Sequence, residues 1–421
     1  MAITIQSYPI GGQNVTMAHN PIEYVVSSTN KTQTNFKYIA DLYWLGATEP
    51  VRFTMGVEPT YGNCRFDFSS ILRNLVTSDP PTFINDFQPC TNSYQTLTVK
   101  FGEQYGASSA LTNYLNLATH TMKVWNASLS VSDWWNNNNP VTAYAIKNDQ
   151  RKFLTNVPRG DEFNGVKVCY NDLHYLYLLQ DGTSNDIGYV EILLYKGASL
   201  HSIVTWDCAT TKTTPVLRVG VGAKNLQEAS TYQNELNITS TFGFPFMDTE
   251  ITRYSVQVID VGAKPLTEVM WFKIECECTW ESPYRLCFLN KLGGYDFFNF
   301  NWNSKKTSSY KKTDYERKMW EWNNTGTAIL YNSKSRGKTQ YSTIITDKLQ
   351  LTSGWLTEDE STWLEELIAS PDVYIINNTT GQLTAVTVTD SQYDYKTLEY
   401  DQLFNLTVNL EFAYTRFSQS L

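Results

Sequence analysis

The residues best suited to nucleophile activation or metal binding in this chain are its four histidines, His19, His120, His174 and His201. No two of them stand in H-x-x-H, H-E-x-x-H or H-x₃-H spacing, so no helix turn or strand brings a metal-binding pair together. A hydrolase elbow of the G-x-S-x-G type is also missing, which leaves a Ser/His/Asp triad without its usual framework. Gly220-Val221-Gly222 lacks the third glycine and the following helix of a dinucleotide loop, and Gly11-Gly12 lacks a preceding strand; both read as turns. Carboxylates beside aromatics remain: Asp133-Trp134-Trp135, Trp280-Glu281 and Trp320-Glu321-Trp322. Sugar rings stack on such aromatic faces, and glycosidases use two carboxylates. Neighbours on a strand point to opposite sides, however, so these aromatics read first as core or interface, second as a sugar platform and last as a hydrolytic site. The expectation is a chain with no catalytic residue, no metal site and no cofactor.

The seven cysteines are Cys64, Cys90, Cys169, Cys208, Cys276, Cys278 and Cys287. Their odd count and scattered spacing do not form a disulfide framework, and Cys276 and Cys278 face one side of a strand. They read as buried free thiols, which implies folding in a reducing compartment. The start, MAITIQSYPIGG, has neither the basic nor the apolar region of a secretion signal. No apolar run reaches 18 residues, so no membrane span is expected.

Apolar residues make up 42% and aromatics 14% of the 421 residues, enough for sizeable cores, while charged residues are 18%. Asn, Thr, Ser and Tyr fill the polar surface instead, which suits β-rich chains with large uncharged contacts. The net charge of −9 argues against general nucleic-acid binding. A basic stretch from Lys305-Lys306 through Lys311-Lys312 to Arg317-Lys318 is the local exception. It reads as a solvated loop, with a contact to an acidic partner or to DNA as the sharper alternative.

Most of the chain reads as strand. Segments 22–28, 35–45, 51–55 and 94–103 are apolar, β-branched or alternating, with Leu97, Val99 and Phe101 on one face. FDFSSILRNLV predicts a short helix capped by Asp67 or Ser69, closed before Asp79-Pro80-Pro81. Strands follow at 166–170, 175–179, 189–195, 202–207, 216–221, 254–260 and 269–278, with Asp181-Gly182 as a turn and turn signals every 8–15 residues. Antiparallel sandwiches fit this spacing better than βαβ units. Further on, 284–290 and 295–302 form a hairpin around Gly293-Gly294. Thr357 and Glu360 predict a capping box on a helix over 357–369, with Trp363, Leu364, Leu367 and Ile368 on its apolar face and Ser370-Pro371 as its stop. The last strand alternates Phe404, Leu406, Val408, Leu410 and Phe412 on one face, as a half-buried edge that a neighbour could extend. The fold class is therefore mainly β: tandem antiparallel β-sandwich-like domains with a few short helices and an α+β C-terminal part. Three domains are expected: 1–135; 136–279, opening on the Asn136–Asn139 run; and 280–421, with the capped helix.

The aromatic load concentrates where the C-terminal part begins. GGYDFFNFNW is too aromatic for an ordinary exposed hairpin; it is either core or meets a neighbouring subunit. Tyr295, Phe297, Phe298, Phe300 and Trp302, with Trp355 and Trp363 near the capped helix, are the candidate interface residues.

Three stretches resemble a group of virion structural proteins of tailed phages from Bacteroidota hosts, including the crAss-like phages. They are NPIEYVVSSTNKTQTNFKYIADLYW with FDFSSIL and KFGEQYG; LCFLNKLGGYDFFNF, similar to an LN-x-x-GGYD-x-F hairpin; and SGWLTEDESTWLEELIASPDVYI with VTVTDSQYDYKT and LFNLTVNLEFAY. They spread over most of the chain, and their order carries more weight than any one of them. The resemblance implies a non-enzymatic virion component, foremost in a tail hub or baseplate-like ring, built from copies of itself and joined to other tail or connector proteins. It further implies assembly in the host cytoplasm and residence in the virion tail. A receptor- or glycan-binding tail adhesin, and a head- or connector-associated virion protein, are the alternatives.

Overall fold

The computed structural model describes the chain except residues 1–2, 10–13, 83–87, 131–139, 147–149, 181–186, 208–213, 230–237, 242–246, 276–283, 332–333, 335, 391–404 and 419–421. The Gly11-Gly12 and Asp181-Gly182 turns, the 136–139 boundary and the Cys276–Cys278 strand end lie outside the described residues. The protein is mainly β with a few short helices, and its sheets are mixed and sandwich-like. It divides into two compact units. The first comprises Met1–Cys276, Leu289–Phe297 and Asn378–Gln382, and the second Glu277–Phe288, Phe298–Asn377 and Leu383–Leu421.

In the first unit, the strands Val15–Met17, Ala110–Trp125, Tyr94–Ala107, Lys37–Trp44 and Val51–Met55 pair in that order. Ile3–Ser7, Glu23–Ser28 and Cys64–Asp67 make a three-stranded sheet. The alternation that predicts these strands sorts them into faces. Tyr24 and Val26 from one sheet meet Tyr38, Ala40, Leu97, Val99 and Phe101 from the other in one core. Two further sheets follow, one of six strands built around Tyr189–Lys196 and Arg253–Ile259, and one of four around Tyr175–Gln180. The Tyr175–Gln180 strand is buried throughout, which is why it reads as an apolar run rather than an alternation.

Three expectations need correction here. Pairing is not purely antiparallel: Val15–Met17 with Lys123–Trp125, Ala145–Ile146 with Leu179–Gln180, and Val166–Val168 with Phe272–Ile274 are parallel. These partners are distant in sequence, so turn spacing carries no sign of them. The predicted N-terminal helix is a single turn, Ser69–Leu72, with Phe68 rather than Asp67 or Ser69 at its N-cap. Leu72 is nevertheless buried in the core, because one turn is enough to point it there, and Val76 beyond the turn is buried with it. The thiols differ as well. Cys64, Cys90 and Cys287 are buried thiols outside any disulfide, but Cys169 is disulfide-bonded.

A long sheet, carried for the most part by the second unit, runs in the order Tyr295–Phe300, Tyr284–Leu289, Val373–Ile376, Leu383–Val388, Thr407–Phe412, Lys338–Thr352, Ser304–Glu316. Thr407–Phe412 is thus an interior strand, flanked by Leu383–Val388 and Lys338–Thr352, and not the expected edge. Its Val408 and Leu410 are buried as the alternation requires. The basic stretch, expected as a loop, is the edge strand Ser304–Glu316, zipped along its length to Lys338–Thr352. Between them, Trp320–Trp322 and Ile329–Tyr331 form a small hairpin.

The helix Glu358–Ala369 has the predicted capping box. Glu360 N–H donates to Thr357 Oγ1 at 3.2 Å, and Thr357 N–H donates to the Glu360 carboxylate at 2.8 Å. Ser370 is extended, as a residue before proline must be, and ends it. Trp363, Leu364 and Leu367 are buried, so a helix too short to stand alone is held by its apolar face.

Candidate functional site

The hairpin at Gly293-Gly294 shows why its residues are what they are. Asn290 Oδ1 accepts from Leu292 N–H at 3.0 Å and from Gly294 N–H at 3.1 Å, closing the turn from inside. Asn290 Nδ2 donates to Leu154 O at 2.9 Å, and Trp125 Nε1 donates to Leu292 O at 3.0 Å. Gly293 has φ +83°, and a Cβ there would lie 2.1 Å from Asn126 O; at Gly294 a Cβ would lie 2.5 Å from Leu154 O. The turn therefore runs backbone against backbone, and the paired glycines are needed for that approach.

The seven candidate interface residues separate on this scaffold. Tyr295 is buried against Tyr177, and Phe297 against His174 and Tyr175. Trp363 is buried, with the rings of Phe288 and Phe298 5.7 and 5.9 Å away. Phe300 is buried edge-on to the half-buried Phe298. Of the two alternatives for this stretch, these five are packed within the chain itself. Trp302 and Trp355 stand at the surface, paired edge-to-face with centroids 4.9 Å apart.

A more extensive exposed surface lies on the basic strand and its partners, where the sequence alone suggests a loop. Tyr310, Tyr315, Trp322, Tyr331, Tyr341 and Phe417 are all exposed, Tyr331 at 77% and Phe417 at 70%. Tyr315 and Tyr341 meet across the strand pair at 6.1 Å, and Trp320 and Trp322 lie edge-to-face at 5.5 Å with Lys318 Nζ 5.0 Å over Trp320. Lys306 Nζ sits 5.5 Å over the Phe412 ring. The strand is tied down by Asp347, a buried residue that accepts from Ser308 Oγ at 2.6 Å and from Arg416 Nε at 2.9 Å. The Arg416 hydrogen bonds, then that of Ser308, hold the Asp347 carboxyl below the usual range. The sequence signal for this strand is its Ser, Thr and Tyr content and the lack of Gly or Pro from 304 to 322.

The histidines lie in separate structural settings. His19 Nε2 is 3.0 Å from Asn126 Oδ1, His120 Nδ1 is 2.9 Å from the Tyr24 hydroxyl, His174 packs between Phe272 and Phe297, and His201 is half-buried on the strand Ser199–Asp207. Buried acids have partners too: Glu103 accepts from Ser28 Oγ at 2.6 Å and Asn30 Nδ2 at 2.7 Å, and Asp41 is bidentate with Arg52. Among the described residues no group of three or more His, Cys, Asp or Glu is placed to hold a metal ion. Asp133, Trp134, Trp135, Trp280 and Glu281 lie outside the described residues. No described helix is long and apolar enough to cross a membrane. No protein-family model and no curated protein matches the chain.

Proposed function

We propose that this chain is a non-enzymatic structural subunit of a tailed-phage virion, a tail hub or baseplate-like component that assembles with copies of itself into a ring and joins neighbouring tail proteins. The observation that carries the assembly half of this reading is the set of large exposed side chains on and around the basic strand pair. Tyr310, Tyr315, Trp322, Tyr331 and Tyr341 fall within residues 310–341 of the second unit, and Phe417 pairs beside Ile344 on the strand Lys338–Thr352. Concentrations of exposed aromatic and apolar surface mark protein–protein contacts, where Tyr and Trp bury much area at small entropic cost. The phage half rests on the resemblance of the three sequence stretches, and with it the placement in the virion tail after assembly in the host cytoplasm.

Antibody labelling of purified particles in the electron microscope tests this. Label at the tail is the expected result. Label on the head would move the subunit to the capsid or connector, and absence of the chain from particles by both labelling and mass spectrometry would overturn the virion reading. A tail adhesin that binds glycans is the second reading, favoured by the exposed Trp322 beside Trp320 at the small hairpin. A glycan array on which Trp322→Ala abolishes binding would put that reading first.

A further inference from the structure

Charge is unevenly divided along this chain. Residues 304–352 hold ten Lys or Arg against four Asp or Glu, a net of +6, which leaves −15 for the rest of a chain whose total is −9. The excess is on the edge strand, where Lys305, Lys311 and Lys312 are exposed and make no ion pair among the described residues. A third of the opposite excess lies on the helix Glu358–Ala369, which carries five acids and no base. Glu358, Asp359 and Glu360 are explained locally, because negative charge is favoured in a first helical turn. Glu365 is not: it sits towards the C-terminal end, where the dipole disfavours it, and the last turn has no basic residue to offset it. Glu358, Asp359 and Glu365 are exposed, again with no ion pair among the described residues.

We propose that the basic edge strand Ser304–Glu316 of one copy docks against the acidic face of the helix Glu358–Ala369 of a second copy. The charge complementarity selects this partner, and the edge lysines also deselect another. Two such strands meeting edge to edge would bring like charges together, the device by which edge strands avoid self-pairing. Repeated head to tail, with each copy offering a strand to one neighbour and a helix to the other, this contact builds a ring when its rotation closes; made reciprocally, it builds a two-fold dimer. The proposal rests on the reading of the chain as a self-assembling subunit and names the surfaces that join the copies. Exposed charges at such a contact act through steering and register, so the association weakens as salt rises.

The test uses the full chain. Equal amounts of ¹⁴N- and ¹⁵N-labelled protein are mixed and treated with a zero-length carbodiimide, which joins lysine amines to carboxylates in direct contact. Mixed-isotope peptides linking Lys305, Lys306, Lys311 or Lys312 to Glu358, Asp359 or Glu365 are expected, and sedimentation velocity shows association at least tenfold weaker in 500 mM than in 50 mM NaCl. The variant K305E/K306E/K311E/K312E loses the assembly, the variant E358K/E365K loses it, and the variant carrying both sets regains it. Assembly that persists at unchanged size without those cross-links overturns this contact and leaves the self-assembling subunit standing. A wild-type chain that stays monomeric at 100 µM overturns both. Salt-sensitive binding of a 20-nucleotide single strand that is lost in the lysine variant, with assembly unaffected, would assign the strand to nucleic acid and overturn the proposal.

Discussion

Replacing Gly293 by alanine should be among the most damaging single-methyl changes available to the first unit. Its φ of +83° costs an alanine about 1–2 kcal/mol. The added Cβ would stand 2.1 Å from Asn126 O and 3.0 Å from Asn126 C, distances that no rotamer change relieves because both atoms are backbone. The turn must move, at about 1–3 kcal/mol for an overpacked site. Movement stretches the hydrogen bonds Trp125 Nε1–Leu292 O at 3.0 Å and Ser128 N–Lys291 O at 2.8 Å, worth about 1 kcal/mol each. These terms share atoms and do not simply add, so a total of about 3–5 kcal/mol is expected. At about 1.4 kcal/mol per tenfold, local opening around the turn rises by roughly two to four orders of magnitude. Amide hydrogen exchange resolved on peptides covering 119–130 and 287–298 reads that opening directly. Gly326→Ala is the control. Gly326 has φ +67° but nothing within 4 Å of where its Cβ would stand, so only the backbone cost of about 1–2 kcal/mol applies. Equal effects for the two variants would refute the close-approach account of Gly293.

Thr357→Ala removes one half of the capping box and should destabilise the second unit by about 1 kcal/mol in urea unfolding, while Thr357→Ser leaves it nearly unchanged. Trp363→Ala should cost about 3–5 kcal/mol by the same assay, since it empties the buried face of the helix Glu358–Ala369. Asp347 has a carboxyl held below its ordinary range by Arg416 and Ser308, so its contribution is present above its unfolded pKa and is lost as pH falls through the folded value. Asp347→Asn should therefore flatten the acid side of the stability–pH profile below about pH 4, read by urea midpoints. Burial pushes the Cys90 thiol up to about 12 and the Cys64 thiol up to about 11, so both should resist iodoacetamide at pH 8 in the folded protein and label fully in denaturant, as peptide mapping would show.

Local patterns in the sequence anticipate those parts of the structure whose cause is local. The capping box of Thr357 and Glu360, the burial of Leu97, Val99 and Phe101, and the turn at Gly293 each depend on residues a few positions apart. The parallel pairings do not show, because Val15–Met17 finds Lys123–Trp125 more than a hundred residues away, and nothing in either segment names the other. Thr407–Phe412 alternates as a half-buried strand does, yet alternation says which face is buried and nothing about which edges are paired. The basic strand reads as loop for a related reason. With solvent along nearly its whole length it has no apolar period to reveal it, and its partner Lys338–Thr352 supplies the order. At the candidate site, aromatic content points to the 293–302 hairpin, much of which the chain buries itself. The exposed aromatics of 310–341 stand among lysines and glutamates and so resemble solvated loop.

The first unit includes residues 289–297, which follow residue 276 by a short stretch, and 378–382, about a hundred residues beyond it. A ribosome making this chain therefore cannot release a finished first unit after residue 276. Leu154 and Trp125 wait for Asn290 and Leu292, and Asp172 waits for Asn378, whose amide it accepts at 2.8 Å. At roughly 5–20 residues per second, the interval from residue 276 to residue 382 is on the order of 5–20 s. Until residue 297 is made the nascent first unit has an open apolar seat for Tyr295 and Phe297, and until residue 378 is made it lacks the hydrogen bond from Asn378 to Asp172. Chaperone occupancy of the nascent chain should be highest in that window, and truncating the gene at 276 should yield an aggregating product rather than a separable domain.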